Sequence, residues 1–243
     1  MRTHRSRRTA RLLALALAAA AALTAVGCTS EPGTPAPTAV SAMASPSAPA
    51  GLWLTAQQLM AATLPDADVP NSHGNPAVLR RPKKADPRIK PPSEPACGRL
   101  LDAANARQPV TPAPTVADQM FNWQGDFYGS GSVLASYEGS GAQEAFAQVR
   151  DSLSTCRSYE QEGPAGPYKG TVTVAPAPRL GDEAVQFEVT APTEAGPHVT
   201  QYTVVRTGKA VATFKKGSDG QEGRAFPPAV IARQITLLQQ AQG

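Results

Sequence analysis

No acidic residue precedes Glu31, no aromatic residue precedes residue 52, and no uncharged apolar run reaches the roughly 20 residues that a membrane-crossing helix needs. Each absence excludes something. Without aromatic anchors, the first fifty residues cannot contribute to a conventional core, so folded structure is expected from Gly51 onward. Without acidic residues, the N-terminal segment carries the whole positive excess of the chain. The formal charge is +4, but Arg2, Arg5, Arg7, Arg8 and Arg11 all lie before Cys28. Removing these five leaves 18 basic against 19 acidic side chains, a net charge of −1. A nucleic-acid partner argued from the basic balance is thereby excluded.

Catalytic and metal signatures are equally sparse. Beyond Cys28 the histidines are His73, in a proline-rich stretch, and His198, at a strand start, with no partner four residues away and no cysteine pair nearby. That pattern calls for no metal and no cofactor. The segment Gly129-Ser130-Gly131-Ser132 lacks the Gly-Lys-Ser/Thr of a phosphate loop, and no Gly-x-Ser-x-Gly nucleophile elbow occurs. The adjacent carboxylates Asp66/Asp68 and Asp182/Glu183 read as solvated turn residues, since carboxylates act as acid and base only when converged in a cleft.

What is present begins with a targeting signal. Residues 1–11 are basic, and residues 12–26 form an uncharged run of Ala and Leu, the length of a signal-peptide apolar region. Ala25-Val26-Gly27-Cys28 then matches a bacterial lipobox, with Ala25 where Leu is usual. Residues 1–27 are therefore expected to be cleaved, leaving Cys28 diacylated; the alternative is an ordinary signal peptide with an incidental cysteine. Residues 28–50 follow as the lipidated cysteine and a tether, with Pro32, Pro35, Pro37, Pro46 and Pro49 among Ser, Thr and Ala. The tether spans between about 25 Å as a coil and about 70 Å as polyproline.

The remaining residues, 51–243, are expected to form one α+β domain: an antiparallel sheet packed with helices, stapled by one disulfide. A helix is predicted over 54–62 with Thr55 as N-cap, then an irregular, proline-rich basic loop over 64–95. Its Arg80, Arg81, Lys83, Lys84, Arg88 and Lys90 suit either anionic headgroups and wall polymers or plain solvation, and the prolines, which break any shared helical face, favour solvation. Further helices are predicted over 98–107 and from a Ser140–Gln143 capping box onward. The second of these carries the apolar stripe Ala142, Phe146, Val149, Leu153 and Cys156. Between the two lies a strand over 120–137 with a glycine bulge. After a loop over 162–170, alternating apolar residues (Val172, Val174; Val185, Phe187, Val189) mark strands. A hairpin turns at Thr207-Gly208, and Pro227-Pro228 open a last helix buried through Ile231, Ile235 and Leu238.

With Cys28 lipidated, Cys97 and Cys156 remain as a pair in an oxidising compartment, the alternative being two free buried thiols. A bridge closing a loop of about 60 residues stabilises by roughly 4 kcal/mol in the chain-entropy model.

The order of Leu64-Pro-Asp-Ala-Asp-Val-Pro70 after a short helix, a cysteine, a strand, an Ala/Phe-rich helix ending in cysteine, the Arg206-Thr-Gly-Lys-Ala-Val-Ala-Thr-Phe214 hairpin and the terminal Ile231-Ala-Arg-Gln-Ile235 helix resembles the PknH-like extracellular sensor domain family over residues 52–242. That family sits outside the membrane on actinobacterial Ser/Thr kinases and on free lipoproteins. The resemblance implies an antiparallel sheet flanked by helices and a cleft for an unknown ligand. Kinase-linked members carry a second disulfide, for which this chain has no cysteines left.

Together these readings describe a lipoprotein on the extracytoplasmic face of the cell membrane, held there by palmitate-type acyl chains. Its domain is expected to be a non-catalytic sensor that binds an envelope ligand or a signalling protein. Trp123, Tyr128, Tyr202 and Arg206 are the candidates for lining a cleft, with core packing as the alternative for each. An envelope hydrolase or transferase with an unrecognised site is the competing function, and a structural envelope protein without a ligand is the third.

Overall fold

The structure is a computed structural model and describes residues 53–72, 74–80, 90–107, 113–123, 129–163, 166–194, 196–218 and 225–243. The signal segment, Cys28, the tether, His73 and Tyr128 lie outside the described residues.

Eight strands form one antiparallel sheet in the order β1-β2-β3-β8-β7-β6-β5-β4. Two meanders build it. The first is β1 (Ala77–Arg80), β2 (Thr115–Phe121) and β3 (Ser130–Ser136). The second runs through β4 (Ser158–Gly163), β5 (Gly166–Ala175), β6 (Glu183–Thr193), β7 (Gly196–Thr207) and β8 (Ala210–Ser218). They join where β3 pairs with β8, Leu134 facing Ala212.

Helices cover both faces. On one lie α1 (Ala56–Ala61) and α4 (Pro228–Gln242); on the other α2 (Pro95–Ala104) and α3 (Gly141–Thr155). The strand period of two sends alternate residues to separate cores. Val133, Ala135, Val204 and Val211 meet Leu100, Phe146 and Val149 from α2 and α3. Leu134, Val205, Ala212 and Phe214 meet Leu59, Ile231, Ile235 and Leu238 from α1 and α4. Strand β3, covered on both sides, is buried at all seven positions. Full burial of each such Leu, Ile or Phe side chain contributes about 1.5–3 kcal/mol.

The α3 stripe is as expected, every member buried, and so is the α4 stripe behind Pro228 at the first turn. Cys97 and Cys156 are joined, with Cα atoms 4.9 Å apart, tying the start of α2 to the end of α3. Gly208, at φ +55°, makes the β7–β8 turn, which the Gln242 amide clasps: Nε2 donates to Thr207 O (3.1 Å) and Oε1 accepts from Lys209 N (2.7 Å).

Several expectations are corrected. The predicted loop over 64–95 contains a 3-10 turn at Asp66–Asp68 and strand β1, because Asp66 gathers Gly74 N, Asn75 N and Asn75 Nδ2 and the next four residues can then add to β2. The single strand over 120–137 is instead the antiparallel pair β2 and β3, and the loop over 162–170 is the β4–β5 hairpin. Gly170 belongs to that hairpin because a Cβ there would enter the Tyr159 ring. The Ser140 capping box does not form: Ser140 Oγ bonds the Glu144 carboxylate rather than a backbone N–H. The capping box is at Thr55, whose Oγ1 accepts from Gln58 N while Gln58 Oε1 accepts from Thr55 N. Helix α2 starts at Pro95, three residues before the predicted start, since proline at N1 sacrifices no hydrogen bond. On the outer face of α3, Arg150 Nη1 lies 3.6 Å from Glu183 Oε1. Val174 shares the face of Val172 yet stays exposed, because alternation chooses a face and only an overlying element buries it.

Candidate functional site

The loop before β1 and the start of α4 meet the end of β2 around Trp123. Ser72 bridges to Trp123, whose indole Nε1 donates to Pro70 O at 3.1 Å. The ring stacks on Phe121 (centroids 5.4 Å, 21°) and meets Phe226 edge-on (5.1 Å, 85°). Phe226 also contacts Phe214, so the indole is the outermost ring of an aromatic group rooted in the α1/α4 core. Lys216 Nζ lies 4.9 Å from the Trp123 ring centroid, a cation–π contact.

Beside the indole is an open depression of about 500 Å³ lined by Asp68, Pro70, Asn71, Trp123, Lys216 and Val230. Asn71 turns the chain there at φ +60°. Asp68 Oδ2 accepts from Arg233 Nε at 2.7 Å, fixing the loop to α4. The depression therefore offers one half-exposed aromatic wall, aliphatic proline and valine surfaces, and a carboxylate and an ammonium at its rim. Such a surface suits a ligand with an apolar face and a polar edge.

The other candidates lie elsewhere. Tyr202 is on the opposite face of the sheet, half-buried and stacked on Phe187 (4.8 Å, 1°). Burial pushes its phenol pKa up, against a lowering hydrogen bond from Asn105 and the nearby Arg107 charge. Arg206 closes the start of β6: its Nε reaches Glu183 Oε2 at 2.7 Å and its Nη1 reaches Asp182 Oδ2 at 2.8 Å. Asp182 also accepts from Gly208 N at 2.8 Å. Arg206 is thus a brace at the β7–β8 turn, and the two carboxylates read as solvated are its partners. Of the four cleft candidates, the three described ones, Trp123, Tyr202 and Arg206, occupy three separate places.

Sequence reasoning found Trp123 but missed Asp68 and Lys216. Arg233, two residues from both Ile231 and Ile235 on α4, was the available signal for Asp68, as a basic residue close to a buried stripe. Lys216 carried none, its place over the indole being set by the β3–β8 register.

Among the described residues, the carboxylates singled out in the sequence are each engaged elsewhere than with one another. Asp66 accepts three N–H groups, Asp68 holds Arg233, and Asp182 and Glu183 hold Arg206. His198 Nε2 lies 3.3 Å from Thr200 Oγ1. Among the described residues no group of three or more His, Cys, Asp or Glu side chains is placed to hold a metal ion, and no helix is long and apolar enough to cross a membrane.

No protein-family model matches the chain, and no curated protein matches it. Among solved structures it is similar to the extracellular domain of PknH from Mycobacterium tuberculosis, with a TM-score of 0.57 at 14% identity, over 78% of this chain and 97% of that one. An uncharacterized protein from Mycobacterium smegmatis also matches, with a TM-score of 0.38 at 13% identity, over 76% of this chain and 93% of that one. The first likeness shows the fold, an antiparallel sheet flanked by helices, as the sequence resemblance implies.

Proposed function

We propose that this chain is a lipid-anchored, extracytoplasmic binding module, a sensor domain that takes a small envelope ligand at the Trp123 depression and passes its state to a signalling partner. The observation that carries the binding reading is the open indole. Trp123 is held by Pro70 and two phenylalanines, yet one side faces an open space of about 500 Å³. The lipobox at Cys28 and the proline-rich tether support the location: two or more acyl chains anchor stably where one would not. The PknH neighbour is itself an extracellular domain, which agrees with that placement. The competing hydrolase or transferase would need a converged acid–base pair, and Asp66, Asp68, Asp182 and Glu183 are each engaged with amides or arginines instead.

Trp53 and Trp123 are the two tryptophans, so the Trp53→Phe chain reports on Trp123 alone. Titrating that full chain in detergent with envelope lipids and wall fragments is expected to shift or quench its emission saturably. No change with any class would sink the binding reading. Replacing Cys28 by Ala is expected to move the chain from the membrane fraction to the soluble one; unchanged retention on membranes would remove the anchor from the proposal.

A further inference from the structure

One cross-strand row on the α2/α3 face departs from the apolar pattern around it. Its residues, in register across five strands, are Met120 on β2, Gly131 on β3, Lys215 on β8, Tyr202 on β7 and Phe187 on β6. The lysine stem runs beside Gly131, where a Cβ would lie 3.6 Å from Lys215 Cε, an ordinary contact distance. The ammonium is held, half-buried, in the middle of the sheet rather than at its edge.

Its charged surroundings do not neutralise it. Arg80, Arg107 and Asp118 act on it electrostatically, two cations against one carboxylate. Asp118 is already taken: its Oδ2 lies 2.8 Å from Arg80 Nε, and Arg80 Nη2 is spent on Asn105 O at 2.6 Å. Arg107 follows the end of α2, past Ala106 in the left-handed region at φ 48°, and its charge also acts on Asp102 of that helix. Lys215 makes no hydrogen bond or ion pair within the described residues. Burial and the two guanidiniums accordingly lower its pKa.

Tyr202 pairs with Lys215 in the β7–β8 register, so the phenol and the ammonium stand side by side on this face. Asn105, at the end of α2, is engaged with its own helix, its Nδ2 donating to Leu101 O at 2.7 Å. A half-buried ammonium with three N–H groups and a half-buried phenol O–H, with the exposed guanidinium fork of Arg107 at their margin, match an anion with several terminal oxygens. Val78 and Met120, each 58% exposed, flank Asp118 and Gly131 in the register and give the site an apolar margin.

We propose that Lys215, Arg107 and Tyr202 form an anion site for a phosphate group, fixed in place by the Arg80–Asp118 pair and separate from the Trp123 depression. The phosphate could arrive free or as a phospholipid headgroup whose acyl part lies against Val78 and Met120.

The test is calorimetric titration of the full chain in detergent with inorganic phosphate and with a soluble short-chain phosphatidylglycerol. Saturable binding of at least one is expected, weakened about tenfold or more by Lys215→Met, which keeps the length and removes the charge. Tighter binding of the lipid than of inorganic phosphate assigns a headgroup; the reverse assigns a free phosphate group. Failure of both probes to bind, or wild-type affinity in Lys215→Met, overturns the site. Should Lys215→Met not fold by circular dichroism, the exposed Arg107→Ala variant decides, with weaker binding supporting the site and unchanged binding overturning it. The Trp123 emission titration uses a different pocket, so either result can fail without the other.

Discussion

The two faces of the sheet are held to their helices by different means. On the α1/α4 face the cement is an aromatic group, Phe121, Trp123, Phe214 and Phe226, with two buried amides. Gln119 reaches Leu64 N, Leu64 O and Asn75 O, and Gln234 donates to Ala62 O. On the α2/α3 face an aliphatic core does the holding, a disulfide ties the two helices to each other, and the sheet beneath also carries Lys215, Tyr202 and Asp118. A covalent staple lets a face carry polar groups that an ordinary core would exclude, because chain entropy rather than apolar area supplies part of its stability.

That contrast can be broken from either side. Phe214→Ala should be the most damaging change, costing about 3–5 kcal/mol, because the ring is fully buried between strands that cannot collapse onto the hole. In native-state hydrogen exchange, α4 amides should lose protection before those of α3; equal loss would mean that the two faces unfold as one. Replacing Cys97 and Cys156 by Ser should cost about 2–5 kcal/mol by denaturant titration. Below the melting temperature it should leave Trp123 emission unchanged, since the indole belongs to the other face. A shifted emission would show that the staple also shapes the depression.

The smallest effect is a pH dependence confined to the stapled face. Burial raises the phenols of Tyr137, Tyr159 and Tyr202 above their ordinary 10.0. The unfolded chain therefore ionises first, and the stability these phenols contribute, intact below pH 10, is lost as pH climbs beyond it. Lys215 works the other way: with its pKa lowered from 10.5, its penalty is relieved as pH rises toward 10.5. Three phenols against one amine should give a net fall in stability between about pH 10 and about pH 11. Tyr137→Phe should flatten that fall; an unchanged slope would place the titration elsewhere.

Elements whose apolar residues recur on one face were legible in the chain. The α3 stripe, the α4 stripe and the β7–β8 hairpin all follow from spacing that only one backbone geometry can bury on one side. Strand β1 was not legible, because its four residues are half-exposed and its pairing depends on Asp66 ordering the loop ahead of it. Of the site residues, Trp123 was visible as an aromatic in a polar neighbourhood. Arg206 was misplaced, since only the fold shows its carboxylates at the start of β6.

By itself the sequence separated a basic and apolar N-terminal segment, a proline-rich stretch and the residues patterned for an α+β fold, and it offered its last two cysteines as a pair. These follow from composition, run length and period, which are properties of neighbouring residues. Tertiary structure alone decided which polar groups meet. Lys215 faces Tyr202 across one register and Gly131 across the next, and Trp123 meets Lys216 and Val230 from distant elements. Register and layer packing are long-range choices, and a slip of one residue would send each of these side chains to the opposite face.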